Sequence, residues 1–135
     1  MKVSKNFWLQ EFLPPDLYEM SPQSGIWMID RRIINIAQFI RERYGKPVTI
    51  NNWHSGGQYK ESGFRNPFTK TGALLSQHKF GRAIDAKIDG LHPEEIREDI
   101  RQNYALFRVV GLTTIEVDTP TWVHMDCRNT NQDSL

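Results

Sequence analysis

The stretch SQHKFGRAIDAKID (residues 76–89) places two metal-ligating residue types beside the alternating pattern of a β-strand. Side chains of a strand point to opposite faces in turn, so residues two apart share a face. The apolar face of this strand is formed by Ile84, Ala86 and Ile88. The other face carries Asp85, and His78 precedes it with Gly81 between them, which allows a tight turn. The pattern predicts a buried strand whose polar face contributes to a site.

Two later segments alternate in the same way, LTTIEVD (112–118) and TWVHMDCR (121–128). Their predicted inward positions are Ile115, Val117, Val123, Met125 and Cys127. Their opposite faces carry Glu116, Asp118, Trp122, His124 and Asp126. If the apolar faces of the three strands cover the helices, then Asp85, Asp118 and His124 share one cleft.

Helical periodicity is clearest in IWMIDRRIINIAQFIRERYG (26–45), where apolar residues recur on one face and Gly45 stands at the C-terminal cap position. A second helix is predicted from Pro93 to about residue 106, with acidic residues in its first turn. PVTINNW (47–53) predicts a short strand. Residues 1–23 are predicted to be irregular apart from one helical turn in NFWLQEF, and 54–75 to form a functional loop.

These elements favour an α+β fold, with a small antiparallel sheet and helices on one face. We predict a single domain over residues 1–128 and a polar tail over 129–135. The 39% hydrophobic content is sufficient for a core.

Composition excludes several classes of protein. A net charge of +1 provides no overall field for nucleic acid or anionic lipid. The single cysteine, Cys127, excludes an internal disulfide framework. No apolar run approaches the ~20 residues that span a membrane, and no secretory signal is visible at the N-terminus. We therefore expect synthesis in the cytoplasm, so that action on a cell wall would require release.

Two imidazoles and one carboxylate, from His78, Asp85 and His124, form a ligand set that suits zinc with one position left open for a water or substrate. Spacing alone leaves the alternative that these are ordinary solvated or capping residues. The other two histidines, His54 and His92, are predicted at the surface.

The motifs resemble those of a known family. SQHKFGRAID resembles the Ser-x-His-x-x-Gly-x-Ala-x-Asp signature of the zinc D-Ala-D-Ala carboxypeptidases, and WVHMDCR resembles their closing strand. Nearly the whole chain is similar in motif order to a small, single-domain D,D-carboxypeptidase-like subgroup common in phages and prophages. Further matching segments are SKNFWLQEF (4–12), YGKPVTI (44–50), VTINNW (48–53) and SGFRNP (62–67). The resemblance implies a hedgehog/DD-peptidase-like fold.

The resemblance also implies roles for individual residues. It makes His78, Asp85 and His124 the ligands of a zinc ion. It makes Arg65 the cation near the substrate, where a guanidinium binds a terminal carboxylate or polarises the scissile carbonyl. The alternative for Arg65 is a salt bridge within its loop.

The general base is less clearly implied. Many relatives carry an acid three positions before the last histidine ligand, where this chain has Thr121, and some carry a second histidine where it has Trp122. The hedgehog signalling domain, which shares the fold, has a glutamate six positions before that histidine. Asp118 matches this position and is the predicted base. Glu116 is the reserve, and Asp126 is a third candidate that could instead orient a ligand.

The resemblance implies a zinc peptidase that acts on peptidoglycan stem or cross-bridge peptides, as a carboxypeptidase or an endopeptidase. One alternative is a zinc-binding recognition module without catalysis. Another is a phage structural or lysis component that a partner directs to its target. The sequence does not indicate an oligomeric state.

Overall fold

The computed structural model describes residues 1–130, so 131–135 of the predicted tail lie outside the described residues. Its helices are α1 (Pro15–Met20), α2 (Arg31–Tyr44), α3 (Pro93–Gln102) and α4 (Tyr104–Val109). Its strands are β1 (Val48–Thr49), β2 (Ala83–Ile88), β3 (Thr114–Ile115) and β4 (Val123–Asp126). The strands form one antiparallel sheet in the order β1-β2-β4-β3. The predicted α+β class with a small antiparallel sheet is confirmed.

The register of β2 against β4 determines the site. Asp85 pairs directly with His124, and the next pair, Ile84 with Met125, points to the opposite face. Paired residues of antiparallel strands lie on the same face, with their Cβ atoms about 5 Å apart. The alternation therefore separates a core face from a face that carries the candidate ligands.

Helix α2 packs its apolar stripe into the core, where Ile33, Ile36 and Ile40 are at most 1% exposed. It begins later than the predicted position, because the Asp30 side chain caps it by accepting from the Arg32 backbone N–H. Residues 24–28 form a separate 3₁₀ turn instead. Gly45 ends the helix at the predicted cap position, in the left-handed conformation.

The second predicted helix is two helices. Asn103 lies between α3 and α4, and its side-chain amide donates to the backbone carbonyl and the carboxylate of Asp99. Such local side-chain bonds compete with the helical pattern. The N-terminal region also contains α1, which was predicted to be irregular, and this helix starts at Pro15, a residue suited to the first helical position.

Asp99 also joins α3 to α2. Its carboxylate accepts from Arg43 at 2.7 and 2.8 Å and from the Tyr44 hydroxyl at 2.6 Å. These bonds lower the pKa of Asp99, since they favour its charged form.

Residues 56–76 contain no helix or strand, in agreement with the predicted loop. The loop is nonetheless tied together, because the Glu61 carboxylate accepts from the hydroxyls of Thr69 and Thr71 at 2.8 and 3.3 Å. Across the described part of the chain, the helices are too short or too polar to cross a bilayer.

Candidate metal centre

His78, Asp85 and His124 come together, as predicted for the ligand set. Each offers one ligand atom, and these atoms lie within 4.8 Å of one another. All three side chains are buried. Asp85 comes from β2 and His124 from the facing position of β4. His78 comes from a 3₁₀ turn, Gln77–Phe80, which Gly81 ends in the left-handed conformation.

The orientation of His78 is determined by the loop before it. Its Nδ1 donates to the Gly63 carbonyl at 2.8 Å, so Nε2 is the nitrogen left to act as a ligand. Nε2 lies 3.2 Å from Oδ1 of Asp85. A side chain at Gly63 would collide with the backbone of Phe12, which explains the small residue there.

His124 presents the opposite nitrogen to the cluster. Its Nδ1 lies 3.0 Å from Asp85 Oδ1, while Nε2 lies 2.7 Å from Asp126 Oδ2 and 3.2 Å from Glu116 Oε1. Asp126 is fully buried and is itself held by the Arg128 guanidinium. Asp126 therefore lies in the position predicted for a residue that orients a ligand.

Electrostatics within the cluster favour the charged forms of Asp85 and His124. Burial opposes ionisation of Asp85, but hydrogen bonds from His124 and His78 outweigh it and hold the Asp85 pKa well below its usual range. Burial likewise lowers the pKa of His124, but bonds to Asp126 and Asp85 outweigh it and raise that pKa to about 9. Binding of a cation at His124 therefore displaces a proton.

The donor set fits a metal ion. Two imidazole nitrogens and a carboxylate oxygen converge, and both histidines have their other nitrogen held by an oxygen acceptor, as metal-ligating histidines usually do. The three residues therefore form a buried cluster that could hold a metal ion.

Arg65 lies beside the cluster, where its ion-pair partner is Asp85 of β2, a residue outside its loop. Its Nη2 donates to Asp85 Oδ2 at 3.1 Å, and its Nε donates to the Glu61 carbonyl at 2.8 Å. Gly72 has a positive φ and its backbone packs against Nη1, so close that a Cβ there would lie 2.6 Å from it. The guanidinium thus holds the second oxygen of Asp85.

A cavity of about 460 Å³ opens over the cluster. Glu116 lines it, with a side chain that is 46% exposed, together with Arg65, Thr119 and Trp122. Asp118 is exposed and is not among the lining residues. The predicted placement of Asp118 on the cleft face is therefore wrong.

The reason lies in the length of β3. The strand ends at Ile115, so the alternation does not continue to Asp118, and Val117, predicted to point inward, is 66% exposed. Glu116 is the first residue beyond the strand, and its carboxylate contacts His124. The reserve candidate therefore occupies the place predicted for the base.

Sequence reasoning missed Arg97, which arranges the β3–β4 connection. The side chain is 3% exposed, and it donates to the backbone carbonyls of Glu116, Thr119 and Trp122. It also reaches the Thr119 hydroxyl at 2.8 Å and Glu94 at 2.8 Å. The only sequence signal is that Arg97 directly follows the buried Ile96, because arginines on α3 otherwise look like surface residues.

The remaining conspicuous residues lie outside the cluster. His54 is exposed, and the exposed His92 caps α3 by accepting from the Glu94 backbone N–H, as expected of surface positions. Trp53 packs against Tyr18, and Cys127 is a buried hydrophobe. Comparison of the chain with family models, with curated proteins and with solved structures finds no match.

Proposed function

We propose that the chain is a zinc-dependent peptidase that acts on peptidoglycan stem or cross-bridge peptides. The observation that carries the proposal is the buried cluster of His78, Asp85 and His124 at the floor of an open cavity. A mixed nitrogen and oxygen donor set favours zinc over calcium or magnesium, which prefer oxygen ligands alone. The motif order described above supplies the substrate class.

In this proposal His78 Nε2, Asp85 Oδ1 and His124 Nδ1 hold the ion. A zinc ion bound there supplies Lewis acidity and lowers the pKa of a bound water toward about 7. The Gly63 carbonyl and the Asp126 carboxylate keep the two imidazoles in the required tautomers.

Glu116 is the group that we assign to proton transfer, in place of Asp118. Its side chain lines the cavity and is partly exposed, and its carboxylate contacts His124 at Nε2, the nitrogen that faces away from the cluster, at 3.2 Å. Turned into the cavity, this carboxylate can accept a proton from the attacking water and deliver it to the leaving amine. Arg65 keeps Asp85 oriented, and its positive charge lies where the substrate carbonyl or carboxylate would approach.

The test begins with metal content. Purified protein should bind one zinc ion per chain, and His78→Ala should lose it or hold it far more weakly. Zinc-loaded protein should cleave D-Ala-D-Ala-terminated stem peptides, cross-linked stem peptides or sacculi. Glu116→Gln should keep the metal and lose at least about 100-fold in rate, the usual contribution of a general base.

Asp118→Asn is the matched control, since it makes the same chemical change at an exposed acid two residues away. It should leave the rate within about twofold, as a surface substitution does. An inactive Asp118→Asn beside an active Glu116→Gln would reverse the assignment of the base.

A non-catalytic zinc-binding module is the second candidate. Two observations favour it, Thr121 at the position where many relatives carry an acid, and the close contact between Glu116 and His124. If fully zinc-loaded wild-type protein cleaves no stem peptide, the module is supported and the peptidase is rejected.

A further inference from the structure

A second cavity, of about 360 Å³, shares part of its lining with the first. Four residues line both cavities, namely Arg65, Thr71, Asp85 and Trp122. The two cavities therefore adjoin at Asp85, a member of the metal cluster, and together they are called the groove. The second part of the groove is lined by Tyr59, Ser62, Lys87 and the acid Glu61, among others, and has no part in the proposal above.

Lys87 is the notable residue of this part. It lies on β2 two residues after Asp85 and therefore on the same face. Its ammonium donates to the Ile50 carbonyl and the Ser62 hydroxyl at 3.0 Å each, and lies 3.8 Å from the centroid of the Tyr59 ring. All of these contacts are with neutral groups.

No carboxylate within residues 1–130 makes a salt bridge with Lys87. The nearest acid along the strand, Asp85, is already bonded to both histidines and to Arg65. Half-buried cations are usually paired with an anion, because neutral donors and acceptors compensate only part of the lost hydration. Within residues 1–130, the ammonium is thus held at the wall of the groove by neutral groups, and Asp85 attracts it only from beyond salt-bridge distance.

We infer that this part of the groove is a subsite for a carboxylate-bearing residue of the substrate peptide. The inference rests on the proposed peptidase function and narrows its substrate to anionic peptides. Residues two apart on a strand are separated by about 7 Å. An extended peptide advances about 3.3–3.6 Å per residue, so the positions tested lie within two residues of the cleaved bond on either side.

The test uses peptide pairs that differ only in a carboxylate or a carboxamide, Glu or Gln, placed one and two residues to either side of the cleaved bond. Zinc-loaded wild-type protein should show a kcat/KM about tenfold higher for the carboxylate member in one of these positions, the effect of a hydrogen bond to a charged group. The preference should shrink as salt is raised to about 1 M, where the Debye length is about 3 Å. Equal kcat/KM values at all positions would overturn the subsite while leaving the peptidase in place.

Lys87→Met removes the charge and keeps most of the stem, so the carboxylate preference should fall to about one. Lys46→Met, at an exposed lysine, is the matched control and should keep the preference. Because Lys87→Met also removes the ties to Ile50 and Ser62, the comparison uses only protein whose thermal unfolding remains cooperative. If Lys87→Met does not fold, the kcat/KM values of the wild-type protein for the peptide pairs decide whether the subsite exists.

If no peptide is cleaved, the peptidase proposal fails, and the same pairs are then measured for binding to the zinc-loaded protein by calorimetry. Tighter binding of the carboxylate member would support the subsite independently. Equal affinities would reject it.

Discussion

Replacing Arg97 with Met should weaken both the fold and the site, because one buried guanidinium holds the whole β3–β4 connection. The variant leaves the backbone carbonyls of Glu116 and Thr119 without this donor, whereas the Trp122 carbonyl still accepts from the Thr119 hydroxyl at 2.8 Å. Thr119 is 6% exposed, so its carbonyl loses its donor with little access to water, and its hydroxyl keeps only the bond to Trp122. The Glu116 side chain is exposed and Trp122 is half-buried, so their carbonyls can be partly rehydrated.

The magnitude follows from these environments. A hydrogen bond from a charged donor contributes about 1.5–3 kcal/mol, and a rehydrated acceptor loses less, about 0.5–1.5 kcal/mol. The bridge to Glu94, a residue whose side chain is 54% exposed, contributes little. Relief from the desolvation of the charge offsets part of the loss. We expect the free energy of unfolding to fall by about 3 kcal/mol.

Urea unfolding followed by circular dichroism measures this effect. With an m-value of about 2 kcal/mol/M, the midpoint should fall by about 1.5 M. Arg97→Lys keeps the charge but lacks the planar fork, so it should lose about half as much. Arg101→Met, at a more exposed arginine of the same helix whose partners are exposed acids, is the control and should lose less than about 1 kcal/mol.

Arg97→Met should also separate metal binding from activity. The ligands come from β2, β4 and the 3₁₀ turn, whereas Glu116 comes from the connection that Arg97 holds. Zinc affinity should stay within a few-fold of wild type while kcat falls. A loss of stability below about 1 kcal/mol would refute the reasoning, as would loss of zinc from a variant that remains folded.

Three further predictions concern the surroundings of the cluster and the fold. Asp126→Ala should weaken zinc binding about 10- to 100-fold in a competition titration, because His124 loses its orienting acceptor, and Asp126→Asn should weaken it less. Asp99→Ala should reduce the free energy of unfolding by about 1–2 kcal/mol at pH 7. Because folding lowers the Asp99 pKa, the stability difference between wild type and Asp99→Ala should persist above pH ~4. It should disappear in urea titrations carried out at lower pH, and a pH-independent difference would contradict the ion pair as its cause. Gly81→Ala should destabilise far more than Gly45→Ala: both residues have a positive φ, but only at Gly81 would the Cβ meet backbone, 1.8 Å from a carbonyl oxygen. Gly45→Ala should lower the free energy of unfolding by about 1–2 kcal/mol. Similar melting temperatures for the two variants would contradict the prediction, because they would mean that the backbone near residue 81 moves away from the added Cβ.

The candidate ligands could be predicted because alternation along a strand is local. Asp85 and His124 had to lie on the polar faces of their strands once the apolar residues between them were buried. Their pairing with each other depended on strand order, which the residues alone left open. His78 was predicted from its spacing before Asp85 and from the motif resemblance, since a residue in a turn has no periodicity to place it.

The prediction for the Asp118 side chain was wrong for a related reason: alternation places a side chain only where strand pairing continues. The pattern LTTIEVD is compatible with a strand to position 118, but hydrogen bonding to β4 ends after Ile115. Beyond Ile115, hydrogen bonds from Arg97 to the backbone carbonyls of Glu116 and Thr119 hold the connection, and Arg97 is far away in the sequence. Alternation gives the direction of a side chain only while the ladder continues.

The sequence by itself determined the α+β class, the buried stripe of α2, the left-handed end at Gly45 and the candidate ligands, because these depend on periodicity, local steric limits and recognisable motif spacing. Only the tertiary structure decided which acid faces the cavity, that Arg65 holds Asp85, and that neutral groups hold Lys87 at the wall of the groove. Those features arise where side chains distant in the sequence meet. Charge and hydrogen bonding there depend on three-dimensional distance, which no local pattern encodes.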